Sequence, residues 1–178
     1  MMASMQTLSD SDRRLLARWA LECAERVLPL FDADTSAQAE IRDAVARTRA
    51  YSAGEGSTAE EISKRLVAVK AAKAATTPAG AAAARAVAQA SAVAHMGAHA
   101  LGAAAYAVKA VSLANKDQPE LVADEIRWQL TQLTDRERAA LRLLPPLGAD
   151  ESGPLGPGLL SQGILGSTIR EIQERIGD

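Results

Sequence analysis

PAGAAAARAVAQASAVAHMGAHALGAAAYAVKAVSLAN, residues 78–115, decides the fold. No charged side chain stands between Arg85 and Lys109. On a helix advancing about 100° per residue, Ser91, His95, His99, Gly102, Tyr106 and Lys109 fall within about 80° of arc. Both histidines of the chain and one of its two tyrosines lie on that stripe. Alanine elsewhere on the segment lets neighbouring helices approach closely. The spacing predicts a central helix over about residues 78–114, wrapped by the other helices, with a kink near Gly97 and a polar seam facing a crevice.

The flanking segments read as further helices. Ser9 or Ser11 caps the first, in which Leu15, Trp19, Cys23 and Val27 recur at helical spacing until Pro29 stops it. Thr35 or Ser36 opens a second, with Ile41, Ala44, Val45, Thr48 and Tyr51 on its buried side and Gly54 and Gly56 at its end. Ser57 or Thr58 with Glu60 and Glu61 opens a third, with Ile62, Leu66, Val67 and Val69 as its apolar residues. Lys64, Arg65, Lys70 and Lys73 make it the most basic segment. After the turn at 115–119, residues 120–133 read as helix, with Val122, Ile126, Leu130 and Leu133 on one side and Trp128 flanking. Thr134 to Glu137 forms a capping box for a short helix that Pro145 and Pro146 end. Residues 147–166, rich in Gly and Pro with leucines between, read as a loop packed on the domain, a flexible tether being the alternative. Ile169, Ile172 and Ile176 mark a terminal helix over residues 167–176. No segment shows the alternation of a strand. The fold expected is an all-α, single-domain helical bundle, with one domain over residues 8–146 and the 147–178 segment packed on it.

Bulk properties narrow the function. At 178 residues the chain is long enough for one sizeable core, and with aromatics at only 3 % that core must be aliphatic and alanine-packed. A formal net charge of −2 argues against a general nucleic-acid binder, which presents a basic face. Cys23 is the single cysteine, so no intramolecular disulfide forms. The start MMASMQTLSDSD has neither a basic nor an apolar leader region, and the alanine stretch is too interrupted to span a membrane. A soluble, cytoplasmic protein is expected.

Four ordered blocks carry a resemblance. LARWALECAERVLPLF (residues 16–31) resembles the opening signature of the immunity-5-like family of bacterial immunity proteins, small all-α partners of polymorphic toxins. Arg42, Ala44, Val45, Arg49, Ala50 and Tyr51 are similar to its second motif, in which tryptophan is expected at the last place. AHMGAHALGAAAYA (residues 94–107) is similar to its histidine-bearing helix, and EIRWQL (residues 125–130) to its closing motif. The resemblance covers residues 8–133. It implies a toxin as partner and transfers no catalytic residue.

The candidate site residues are His95, His99, Tyr106, Trp128, Arg26, Arg49 and Glu125. His95 and His99, four apart, have the spacing of two metal ligands on a helix. Metallohydrolases with that spacing place glutamate after the first histidine, where this chain has Met96, and a third ligand would have to be Cys23 or a carboxylate such as Glu125. The other reading makes them neutral imidazoles in a polar seam, and no metal or cofactor is expected. Cys23 with a histidine has the elements of a nucleophile and base, yet it sits on an apolar stripe where cysteine acts as a small hydrophobe. Arg26, Arg42 and Arg49 either pair with Glu125 or helix ends, or one or two of them line a pocket with the histidines, Tyr106 and Trp128. Lys64, Lys70 and Lys73 read as a solvated face, with an anionic partner as the alternative. Two functions follow: a non-catalytic protein that neutralises a toxin by direct binding, or a self-resistance protein that sequesters a toxic metabolite in a His/Tyr/Trp-lined crevice. A metal-dependent enzyme is the third. The oligomeric state stays open, a homodimer included.

Overall fold

The computed structural model describes residues 4–177; residues 1–3, the first part of the MMASMQTLSDSD start, and residue 178 lie outside the described residues. The helices are α1 (Asp10–Val27), α2 (Thr35–Ser52), α3 (Thr58–Lys64), α4 (Val67–Ala72), α5 (Pro78–Ala92), α6 (His99–Ala114), α7 (Glu120–Thr131), α8 (Asp135–Arg142) and α9 (Gly163–Gly177), with single 3-10 turns at Leu28–Leu30 and Leu159–Ser161. No strand occurs among the described residues. Local chemistry sets most starts. Ser9 accepts from the Asp12 amide at 3.0 Å and Thr77 from Gly80 at 2.9 Å, with Pro78 in the first turn. Thr134 and Glu137 complete the capping box. At α2 the cap is Asp34, one residue before the expected Thr35.

The alanine segment is two helices, not one rod. A continuous 38-residue helix would be about 57 Å long, against roughly 40 Å for a domain of this size, and would strand its alanine faces in water. Instead residues 93–98 leave the helix. The amides of Gly97 and Ala98, which an unbroken helix would bond to Val93 and Ala94, donate to Thr7 O at 2.9 Å and Gln6 O at 3.0 Å. Gly97 keeps the approach close: a Cβ there would lie 2.7 Å from Leu8 Cδ1, which would have to move, and 3.1 Å from Thr7 O. The chain reverses, and α5 and α6 run antiparallel in the most extensive helix contact of the molecule. Thr77 and Pro78 at the start of α5 accordingly lie beside Ala114 and Lys116 at the end of α6.

Around this hairpin, α1 packs across both members, α2 and α4 cover α5, and α7 and α9 cover α6. Trp19 is fully buried, and its Nε1 donates to Gln129 O at 2.8 Å. Gln129 Nε2 donates in turn to Ala104 O at 3.0 Å, so one buried relay joins α1, α7 and α6.

The basic third segment departs from the reading. It breaks after Lys64, and α4 buries Ala68, Ala71 and Ala72, leaving Leu66 65 % and Val69 41 % exposed. Small inward residues let α4 approach the alanine surface of α5. The Gly/Pro segment lies on the bundle, with Leu155 and Leu160 buried in the common core, and α9 begins at Gly163, four residues earlier than expected.

A buried glutamine near the N-terminus holds that segment. Gln6 is 1 % exposed; its Nε2 donates to Asp150 Oδ2 and Ser152 O, each at 2.8 Å, and its Oε1 accepts from the Leu155 amide at 2.9 Å. Gln6→Ala leaves the Leu155 donor unsatisfied and should cost about 2–4 kcal/mol. Urea unfolding is expected to show that loss together with faster proteolysis within residues 148–158; a midpoint equal to wild type would refute the role of Gln6.

Candidate functional site

Six of the seven candidate residues fall in three places, and Tyr106 stands apart. The first is the turn of the α5–α6 hairpin. His99 opens α6, and its Nδ1 lies 2.8 Å from Gln89 Oε1 on α5. With that oxygen as acceptor, Nδ1 carries the proton and Nε2 keeps the lone pair. His95 lies in the connector, its ring centroid 6.4 Å from that of His99. Both imidazoles are held neutral. Burial, then the neighbouring His95 and Arg65, lowers the His99 pKa to about 4; burial, Arg65 and Arg13 lower that of His95. Beside His99 a cleft of about 380 Å³ opens between Gln89 and the Gly153–Leu160 stretch.

Tyr106 does not join that cleft. It lies two turns further along α6, 3 % exposed, with its phenol pKa raised by burial and Lys109 Nζ 5.9 Å from its ring. Between them the seam is closed at Gly102, whose surface is covered by Gln89 and Leu160. The shared stripe on α6 is present, but folding back of the chain turns most of it into packing.

The second place is the α1–α7 contact. Arg26 Nε donates to Glu125 Oε2 at 2.9 Å, and its guanidinium stands 4.1 Å from the Trp128 ring centre. Glu125 is 5 % exposed, so the Arg26 ion pair offsets part of the penalty of burying its carboxylate, while Oε1 has no hydrogen-bond donor among the described residues; the Trp128 ring lies against the same guanidinium. The third is a shallow groove of about 170 Å³ along α1 and α2, where Arg49 pairs with Glu25 beside Arg18 and Glu22. Cys23 lies inside α1, fully buried, with its thiol pKa pushed well up by burial. Among the described residues no group of three or more His, Cys, Asp or Glu side chains is placed to hold a metal ion, and no helix is long and apolar enough to cross a membrane.

The four signature blocks thus fold onto one another: the 16–31 block against the 125–130 block through Arg26 and Glu125 and against the second motif through Glu25 and Arg49, and the 125–130 block against the 94–107 block through Gln129 and Ala104 O. A protein-family model described as Imm-5 like putative immunity protein matches residues 6–136. The chain belongs to that family. No curated protein and no solved structure matches it significantly. The family match begins at Gln6, the residue that grips the Gly/Pro segment, and stops before that segment, so one wall of the His99 cleft lies outside it.

Several groups in this immunity-5-like chain escape sequence reasoning. Arg18 grips the buried Glu137 through two 2.6 Å bonds. Asp10 accepts from Arg14 at 2.8 Å, Thr58 at 2.7 Å and Tyr51 at 3.0 Å, and these bonds, Arg14's first, hold its pKa at about 2. Tyr51 reaches Asp10 through its hydroxyl. An apolar hollow of about 400 Å³ between α8 and α9 contains none of the candidates. Glu137, Thr58 and Tyr51 are remote in sequence from the α1 side chains they meet, so no local pattern announces these pairs.

The His99 shift has a sign that stability measurements read directly. Its folded pKa lies below the ordinary 6.5, so between those values the unfolded chain binds the proton that the folded chain refuses. Stability is therefore fully present above pH 6.5 and falls as pH drops toward about 4. Urea unfolding across that window is expected to give a shallower decline for His99→Gln than for wild type; parallel curves would refute the buried, neutral imidazole.

Proposed function

We propose that this immunity-5-like protein neutralises a protein toxin by direct binding, without catalysis. The observation that carries this reading is where the arginines and glutamates at the contacts of α1 go. Arg26 pairs with Glu125, Arg49 with Glu25 and Arg18 with Glu137. They are spread along the contacts of α1 with α2, α7 and α8, two of them ending on the buried Glu125 and Glu137, instead of converging on one reacting centre. Such pairs fasten α1 to α2, α7 and α8 and bring no acid and base together at a common centre, which favours a binding role over catalysis. Family membership supports a toxin as that partner.

The test is a purified complex with the protein encoded by the gene adjoining this one. A stable complex should survive gel filtration and keep its affinity in His99→Ala. Absence of any complex at roughly 10 µM, a concentration that reveals micromolar affinities, would overturn the reading.

A second reading rests on the cleft. Its volume of about 380 Å³ lies within the range of small-molecule sites, and His99 and Gln89 supply polar recognition. On this reading the protein sequesters a toxic metabolite there. Any metabolite that raises the melting temperature of wild type should lose that effect in His99→Ala and Gln89→Ala while the helical circular dichroism is unchanged. A ligand that protects all three equally would sink it.

A further inference from the structure

The small net charge hides a strong separation. Residues 62–116 contain seven Lys and Arg and not one Asp or Glu, so every acidic residue of the chain lies outside that block. Four of the seven cations are concentrated on the short α3–α4 elements: Lys64, Arg65, Lys70 and Lys73. Lys64 is paired with Glu60 at 3.0 Å. Lys70 and Lys73 are exposed and make no ion pair among the described residues.

The same face is inverted in hydrophobicity. A helix packed only for the stability of its own domain turns its larger apolar side chains inward. Here Ala68, Ala71 and Ala72 face α5, while Leu66 and Val69 stand in solvent, two of only five large apolar residues exposed among those described. Leu66, Val69, Lys70 and Lys73 are spaced i, i+3, i+4 and i+7, so all four share one outward face. The positive field extends beyond α4: Arg65 and Arg13 both lie close enough to His95 to depress its proton affinity.

An apolar centre bordered by cations is the anatomy of a protein interface, in which the desolvated centre is apolar and the rim is charged. Phosphate polymers and anionic lipid favour extended cationic surfaces, and the acidic remainder of this chain would repel them. We propose that Leu66, Val69, Lys70 and Lys73 form the docking face for a protein partner presenting carboxylates around an apolar centre. That partner is the toxin, so the assignment rests on the direct-binding reading and names its contact surface.

The experiment uses the full chain and the purified, catalytically inactivated product of the adjoining gene. Lys70→Glu with Lys73→Glu should weaken binding about tenfold or more, as reversal of interfacial charge does, whereas Lys70→Arg with Lys73→Arg should retain it. Leu66→Ser should also weaken it, and Arg127→Glu, an exposed change on α7, should not. Equal melting temperatures across the set establish that the variants are folded. Photo-crosslinking from benzoylphenylalanine at position 66 should capture the toxin. If wild type binds and the double Glu variant binds equally well, the docking face is wrong and direct binding stands. If wild type does not bind, direct binding itself fails and takes the face with it. Capture of a second copy of this chain, or of RNA, from position 66 overturns the assignment.

Discussion

Close approach of α5 to α6 is the constraint on which the rest of the molecule depends. Alanines line both helices and allow the backbones to come near each other, but proximity requires the chain to reverse at residues 93–98. The carbonyls of Gln6 and Thr7 make that reversal affordable by accepting the two amide bonds that a continuous helix would have kept. The same short N-terminal stretch then uses the Gln6 side chain to hold the Gly/Pro segment against the hairpin. A few residues preceding α1 thereby coordinate two distant parts of the chain.

Reversal also decides what becomes of the histidines. On a straight rod they would have lined a long open seam with Tyr106. In the hairpin, Gln89 is carried back to His99 and Gly102, fills the middle of that seam and bonds the imidazole. What stays open is a cleft at the turn, completed by the glycine-rich stretch that Gln6 anchors. The imidazoles sit where burial and nearby guanidinium groups disfavour protonation.

The charged surface divides by the same logic of pairing. On α1 and its neighbours, arginines meet carboxylates, several of them buried, so those charges mainly fix how α1, α2, α7 and α8 meet. On and just after α4, Lys70 and Lys73 have no such partner among the described residues and flank exposed Leu66 and Val69. A paired charge is already satisfied within the fold, whereas an unpaired one beside apolar surface gains most from a second molecule.

Helical class, the caps at Ser9, Thr77 and Thr134, the aliphatic core and the family resemblance were all legible from spacing and motif, because each depends on residues close together in the chain. The α6 part of the polar stripe was legible too. The reversal at Gly97 was not: alanine favours helix on both sides of it, and the competing hydrogen bonds come from residues about 90 positions away. Nor was the outward turn of Leu66 and Val69, since periodicity places apolar residues on a face without saying whether alanines opposite will be buried in their stead. Arg26 with Glu125 and Arg18 with Glu137 likewise required coordinates. Sequence alone determined what each helix could be; tertiary packing decided which way each one faced, because facing is a competition between surfaces that meet only once the chain has folded.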